Sequence, residues 1–234
     1  TAYRRQRQMC IRDRHDPKEA RALWQLAAYR RLILAGGLTT LSAYAIAMWN
    51  TSFLVRSHGL SLQHAGLLAG VVCGTAAGVG GLFSGWLSDR LARRAAHWQY
   101  SIPVIGHLTA MTALAAYLLW PDTLLIHPGS LPVPVAMLWC ALYSFFAVWW
   151  VAPSYNLVSQ LVPGNRRGTA MALQTIVSTL LGIGVGPLLA GLLSDLLLPV
   201  AGQDSLRYAL LLVSLPVLGA VVLLRTSPLV IEGR

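Results

Sequence analysis

The chain has 234 residues, of which 56% are apolar and only 11% charged, with a mean hydropathy of +0.59 and a formal net charge of +10. A soluble domain carries about a quarter charged residues, so this balance excludes an ordinary water-soluble fold. The excess of lysine and arginine sits in short clusters at one side of the expected topology, which excludes a nucleic-acid partner.

Thr1–Arg14 (TAYRRQRQMCIRDR) is polar, basic and unlike everything after it. Its QMCIRDR stretch resembles translated sequencing-adapter debris; neither an initiator Met nor a signal peptide precedes it, and 1–14 is set aside as a non-native segment. Residues 15–31 are expected to be a cytoplasmic linker and 226–234 a cytoplasmic tail.

Between these ends the charges are separated by long runs without Asp, Glu, Lys or Arg. The runs measure 24 residues from Arg31 to Arg56, 32 on to Asp89, 27 from Arg94 to Asp122, 43 on to Arg166, 27 from Arg167 to Asp195, and 17 from Arg207 to Arg225. A helix of about 20 apolar residues crosses the hydrocarbon core, so each run holds one crossing. The six crossings are expected at 32–55, 62–87, 101–120, 132–154, 168–194 and 207–225. Apolar residues run continuously instead of alternating, which excludes barrel strands. The fourth crossing is expected to end near Pro153, because proline has no N–H to donate, while Pro187 and Pro216 fall inside the fifth and sixth. Of the Lys and Arg residues, sixteen lie on the side of the two termini against Arg56 and Arg207 on the other. Both termini are therefore expected in the cytoplasm, with the chain integral to a bacterial inner membrane.

The second crossing carries Gly66, Gly70, Gly74 and Gly78 at four-residue spacing, and the fifth carries Gly182, Gly186, Ala190 and Ser194 in the same rhythm. Small residues let helix backbones approach closely in lipid, so both rows are expected at tight helix contacts. An internal repeat links the two crossings. Shifted by 106 residues, Gly78–Asp89 (GVGGLFSGWLSD) falls on Gly184–Asp195 (GVGPLLAGLLSD) with eight of twelve positions identical, and Trp49-Asn50 falls on Tyr155-Asn156. Three crossings separate the copies, so the expected fold is all-α: two three-helix units of inverted orientation, as in secondary transporters.

Gly85–Arg94 (GWLSDRLARR) follows the second crossing. It resembles the signature of the major facilitator superfamily, Gly-x-Leu-Ala/Ser-Asp-Arg-x-Gly-Arg-Arg/Lys, at Gly85, Leu87, Ser88, Asp89, Arg90, Arg93 and Arg94, with Ala92 in place of a glycine. In physical terms these residues suit a conformational latch (Gly85, Asp89, Arg90, Arg93, Arg94): a carboxylate at one helix end docks on the positive N-terminus of another, and arginines bridge nearby acceptors. More narrowly, Arg56–Leu62 (RSHGLSL), Gly182–Leu197 and Asp204–Leu210 (DSLRYAL) resemble the spinster-like branch. The resemblance implies a six-helix half of a twelve-helix fold, lying in the lipid bilayer and lacking an N-terminal six-helix partner. It also implies a carrier of small amphipathic or lipid-like molecules that works by alternating access and is not an enzyme.

By the same resemblance the first, second, fourth and fifth crossings line the substrate cavity. The candidates are Tyr44 and Asn50 with Thr40 and Thr51, Tyr143 with Phe146 and Trp150, Tyr155 and Asn156, and Gln174 with Ser178. Asn50, Asn156 and Gln174 suit cavity or interhelical contacts. Trp49, Trp86, Trp120, Trp149 and Trp150 are read as an interfacial belt, and His107 as a hydrogen-bonding residue of a peripheral helix. Cys10, Cys73 and Cys140 are dispersed, with neither a disulfide framework nor metal-ligand spacing, and no metal or cofactor is expected.

Other six-helix classes fail on particular residues. An intramembrane protease needs Gly-x-Ser-Gly and a late histidine, but Leu82-Phe83-Ser84-Gly85 lacks the first glycine and no histidine follows His127. The Pro-x-Asp/Glu-x-x-Lys/Arg repeats of mitochondrial-type carriers are missing as well. The alternative that survives is a self-sufficient six-helix exporter acting as a dimer.

Overall fold

A computed structural model of the chain describes residues 23–121, 125–126 and 133–226. The expectations for 1–14, for 15–22 of the linker and for nearly all of the tail lie outside these residues. Among the described residues, six long helices form the fold. They are α1 (Ala27–His58), α2 (Leu62–Ala92), α3 (Trp98–Leu119), α4 (Ala136–Leu161), α5 (167–201) and α6 (205–225). Two short strands, β1 (Leu125–Ile126) and β2 (Val133–Pro134), pair antiparallel between α3 and α4. The helical stretch Gly164–Arg225 has 62 residues. Straight, it would measure roughly 90 Å, three times the hydrocarbon core, so it has to double back. It does so at Gly202, whose positive φ of 54° favours glycine, and α5 and α6 pack side by side beyond it. The other early turn is made the same way, with Gly59 at φ 65° capping α1 and the Ser61 hydroxyl accepting the His64 N–H at the start of α2.

Pro153, Pro187 and Pro216 sit beside interruptions that do not end their helices. The fourth crossing does not stop near Pro153. It tightens to a 3-10 turn at Val148–Trp150, restarts at Val151 and runs on to Leu161. Pro153 is then in the first turn of the restarted segment, where a missing N–H costs little. Pro187 and Pro216 follow the same rule, each at the start of a restarted helical segment. Two of the breaks are π-helical, at Ala69–Cys73 in α2 and Leu180–Val185 in α5, and helix resumes at Gly74 and Gly186 respectively.

The 106-residue shift carries α1 onto α4, α2 onto α5 and α3 onto α6. Packing is exchanged between the units: α2 lies against α4, α5 against α1, and the third helices α3 and α6 lie against α4 and α1. Each unit therefore supplies the other's support, which joins the two triplets into one bundle. The seam uses small residues. Gly80, Ser84 and Ser88 are the buried positions of the Gly74–Ala92 segment, and Gly186, Ala190 and Ser194 those of Gly186–Ala201. The shift relates them one to one. A Cβ on Gly80 would overlap the Phe145 carbonyl oxygen, and one on Gly186 the Leu41 carbonyl oxygen.

The first glycine row is placed differently. Among the described residues, a Cβ on Gly66, Gly70, Gly74 or Gly78 would meet nothing within 4 Å. Four-residue spacing defines a row along a helix, not the direction it faces. The row on α5, by contrast, is buried as expected, with Tyr44 and Thr40 covering Gly182.

Two apolar clusters stack along the bundle. One gathers Phe53, Leu54, Leu114, Tyr117, Leu118 and Leu206 at the end of the α1–α2 turn. The other gathers Tyr29, Ile33, Tyr100, Trp150, Leu157 and Leu224 at the end where α1 starts and α6 stops. Trp149 and Trp150, at 6% and 4% exposure, are buried at the 3-10 turn and do not belong to an interfacial belt.

Candidate functional site

Beside the single contacts of Tyr29 with the Ala170 carbonyl and of Ser194 with Ser205, three groups of polar side chains lie between helices inside the bundle. In the first, Tyr117 on α3 donates to Asn50 Oδ1 at 2.5 Å. That bond turns the amide NH2 of Asn50 toward two sulfurs, Cys73 on α2 at 3.6 Å and Cys140 on α4 at 3.7 Å. The sulfurs lie 2.9 Å from each other and both thiols are free. Residues dispersed along the sequence are thus adjacent in the fold, because exchanged packing brings α2 onto α4.

In the second group Thr39 donates to Ala35 O at 2.8 Å, so its hydroxyl accepts from His107 Nε2 at 3.0 Å. The imidazole lies 6.0 Å from the Trp150 ring, centroid to centroid. Beside it is a cavity of about 20 Å³, lined in part by Thr39, Ser42, Tyr143 and Ser214. That volume holds about one water molecule and no organic substrate.

The third group joins α4 and α1 to α5. Gln174 Nε2 donates to Ser154 Oγ at 3.1 Å, and Thr40 Oγ1 to Ser178 O at 3.1 Å. Gln174 is 3% exposed, and among the described residues its Oε1 has no partner. Trp49 on α1 lies over Gly191 and donates to Pro187 O at 3.0 Å, so a tryptophan read as interfacial bonds a neighbouring helix.

The sequence candidates therefore separate by position. Asn50 and Gln174 are buried in interhelical hydrogen bonds, and Ser178 is half-buried beside Gly36. Tyr143 and Asn156 are half-buried. Tyr44 and Tyr155, at 40% and 39% exposure, open onto the outside of the bundle. Cys73, Cys140, Tyr117 and Ser154 were missed as polar-network members, since nothing in the spacing of residues 67 apart signals contact.

At the end of α2, Asp89 and Arg90 are exposed, and the Arg90 guanidinium lies 5.6 Å from the Trp86 ring centroid. Arg93 Nε donates to the Asp89 carbonyl at 3.2 Å, which closes the last turn ahead of Arg94. Gly85 approaches Ala152 of α4, its added Cβ at 4.0 Å. Among the described residues the ion pair is Asp204–Arg207 at 3.2 Å, so the Asp89 carboxylate is left unpaired on the surface. Its repeat counterpart Asp195 is also exposed, but Leu196 and Leu197 follow it and α5 continues to Ala201.

The Major Facilitator Superfamily family model matches residues 5–187. An MFS-type efflux pump of Mycolicibacterium smegmatis is 32% identical over 183 residues, covering 77% of this chain and 40% of the pump. Crystal structures of a bacterial homologue of the human lysosomal transporter Spinster share the fold. The inward-facing occupied form superposes with a TM-score of 0.70 at 18% identity, over 91% of this chain and 50% of that one. The inward-facing unoccupied form gives 0.71 at 17%, over 96% and 52%. The chain spans about half the length, or less, of these relatives.

Proposed function

The chain belongs to the Major Facilitator Superfamily, and from that premise we propose that it is the C-terminal six-helix half of a secondary transporter for amphipathic, lipid-like molecules. The observation that carries this reading is the outward glycine row of α2. Among the described residues nothing lies within 4 Å of a Cβ on Gly66, Gly70, Gly74 or Gly78, although a glycine row in lipid is useful only where another backbone comes close. Relatives about twice as long supply the occupant, a second six-helix half.

In this reading Tyr44 and Tyr155, open at the bundle surface, line the cavity between the halves together with Tyr143, Asn156 and Ser178. Asn50 and Gln174 keep the cavity helices in register. The exposed Asp89, with Gly85, Arg90, Arg93 and Arg94, is the latch that docks on a helix N-terminus of the other half. Breaking and remaking that contact accompanies alternating access. Both termini are cytoplasmic, by the placement of arginine and lysine.

The test is reconstitution in liposomes with a lysophospholipid and a sphingoid base as probes. Joined to its preceding half, the chain should give saturable uptake; alone, it should give none. Saturable uptake by the chain alone would overturn the half-transporter reading in favour of a dimeric six-helix exporter.

A further inference from the structure

We propose that Cys73 and Cys140 are a redox modification site, forming a reversible disulfide that staples α2 to α4. The two sulfurs come from different inverted units and lie 2.9 Å apart. Closing to a bond of about 2.05 Å needs a movement below one ångström. A bridging soft metal fits worse. Two metal–sulfur bonds of about 2.3 Å at tetrahedral angles hold sulfurs nearly 4 Å apart. Moreover, among the described residues no group of three metal-ligating side chains exists.

The surroundings suit thiol chemistry. Asn50 Nδ2 is within reach of both sulfurs, and Tyr117 fixes the amide so that its donors, not its oxygen, face them. These donors stabilise negative charge on whichever sulfur is deprotonated. Cys73, half-buried at the end of the α2 π-segment, is the sulfur an oxidant reaches first; Cys140 is buried and resolves. The oxidant class is a hydroperoxide. The Cys73 thiolate attacks its terminal oxygen, breaking the O–O bond and releasing an alcohol, which leaves Cys73 as the sulfenic acid. The Cys140 sulfur then displaces the hydroxyl as water. In sum, two thiols and one hydroperoxide give a disulfide, an alcohol and water, and a thiol reductant reverses the change.

The bond would fix the middle of α2 to α4, next to the Gly80–Phe145 contact. It would thereby restrain the helix that carries the open glycine row and Asp89. This chemistry does not depend on the transported molecule or on the half-transporter reading.

The experiment uses the full chain in detergent with Cys10→Ser, which leaves both sulfurs and their surroundings intact. After tert-butyl hydroperoxide, intact mass should fall by two hydrogen atoms. Both thiols should be lost together from maleimide labelling, a Cys73–Cys140 cross-linked peptide should appear, and a phosphine reductant should restore all three readouts. Oxygen addition at Cys73 with Cys140 still alkylatable would overturn the proposal. So would two unreacted thiols under conditions that oxidise Cys10 in the unsubstituted chain.

Discussion

α2 and α5 occupy equivalent places in the two inverted units, yet their glycines have different surroundings. Both bury a Gly-x-x-x-small-x-x-x-Ser row against the first helix of the other unit, through Gly80 on α4 and Gly186 on α1. On α5 the row extends back to Gly182, which Tyr44 and Thr40 cover. On α2 the additional glycines, from Gly66 to Gly78, point to open space. One helix thus spends its small residues on the chain's own seam, and the other has a second set left over. The buried rows join the two units; the open row has nothing against it among the described residues.

The largest expected effect tests the seam. Gly186→Val or Gly80→Val drives side-chain atoms into a carbonyl oxygen of the facing helix, which cannot move without shifting that helix. Overpacking of this kind costs about 1–3 kcal/mol or more. Either variant should lower the thermal unfolding midpoint of the detergent-purified chain by several degrees. An unchanged midpoint in both would mean the seam is not where the units meet.

A smaller effect is expected at the repeat-related asparagines. Asn50 holds Tyr117 and both sulfurs, whereas the side chain of Asn156 has no hydrogen-bond partner among the described residues. Asn50→Leu should destabilise by about 1–2 kcal/mol, since it leaves the buried Tyr117 hydroxyl unpaired. Asn156→Leu should stay within about 0.5 kcal/mol. Urea or thermal unfolding of the two variants side by side checks the contrast, and equal losses would remove it.

Much of this architecture was legible in the residues. Six uncharged runs marked six crossings because a charge at mid-membrane is costly, and the 12-residue repeat revealed the inversion. The direction of the α2 glycines was not legible. In lipid, a face toward a helix and a face toward acyl chains are equally apolar, so hydropathy cannot tell them apart. Trp149 and Trp150 were misread for a related reason: Pro153 suggested a helix end beside them, but the proline falls in the first turn of a restarted helix, and the tryptophans are buried in the 3-10 turn just before it. At the site, Asn50 and Gln174 were recognisable as polar groups in apolar runs. Their partners were not, because exchanged packing brings together residues such as Cys73 and Cys140, 67 positions apart.

At the end of α2, Asp89→Asn keeps size and hydrogen bonding but removes the charge. Docking on a helix N-terminus is worth about 0.3–1 kcal/mol, and up to about 2 when partly buried. In the complete transporter that loss should shift a balanced two-state equilibrium by up to about 30-fold toward the inward-open form. The isolated chain should unfold unchanged, because the Asp89 carboxylate has no ion-pair partner among its described residues. Asp195→Asn, with leucines instead of an arginine directly after it, is the matched control. Cysteine accessibility from the cytoplasmic side reads the shift. Equal labelling of Asp89→Asn and the unmodified transporter, with transport reduced, would remove the latch role.

The smallest effect on the chain itself is expected at Gly74, and it is the one that separates the two rows most sharply. A leucine there meets nothing within 4 Å and replaces a poor helix former with a good one. Gly74→Leu should therefore leave the unfolding midpoint of the isolated chain unchanged or slightly raised, in contrast to Gly186→Val. If the open row receives the other half, the same substitution in the complete transporter blocks close backbone approach. Transport should then fall with expression and folding of this half preserved. If the row faces lipid instead, leucine is as comfortable as glycine and transport stays normal, which would leave α2 without an assigned partner. If the isolated chain loses more than about 1 kcal/mol, the row is packed within the chain and the distinction between α2 and α5 fails. Stability and transport measured on this one variant thus distinguish an internal contact, a lipid face and a docking face.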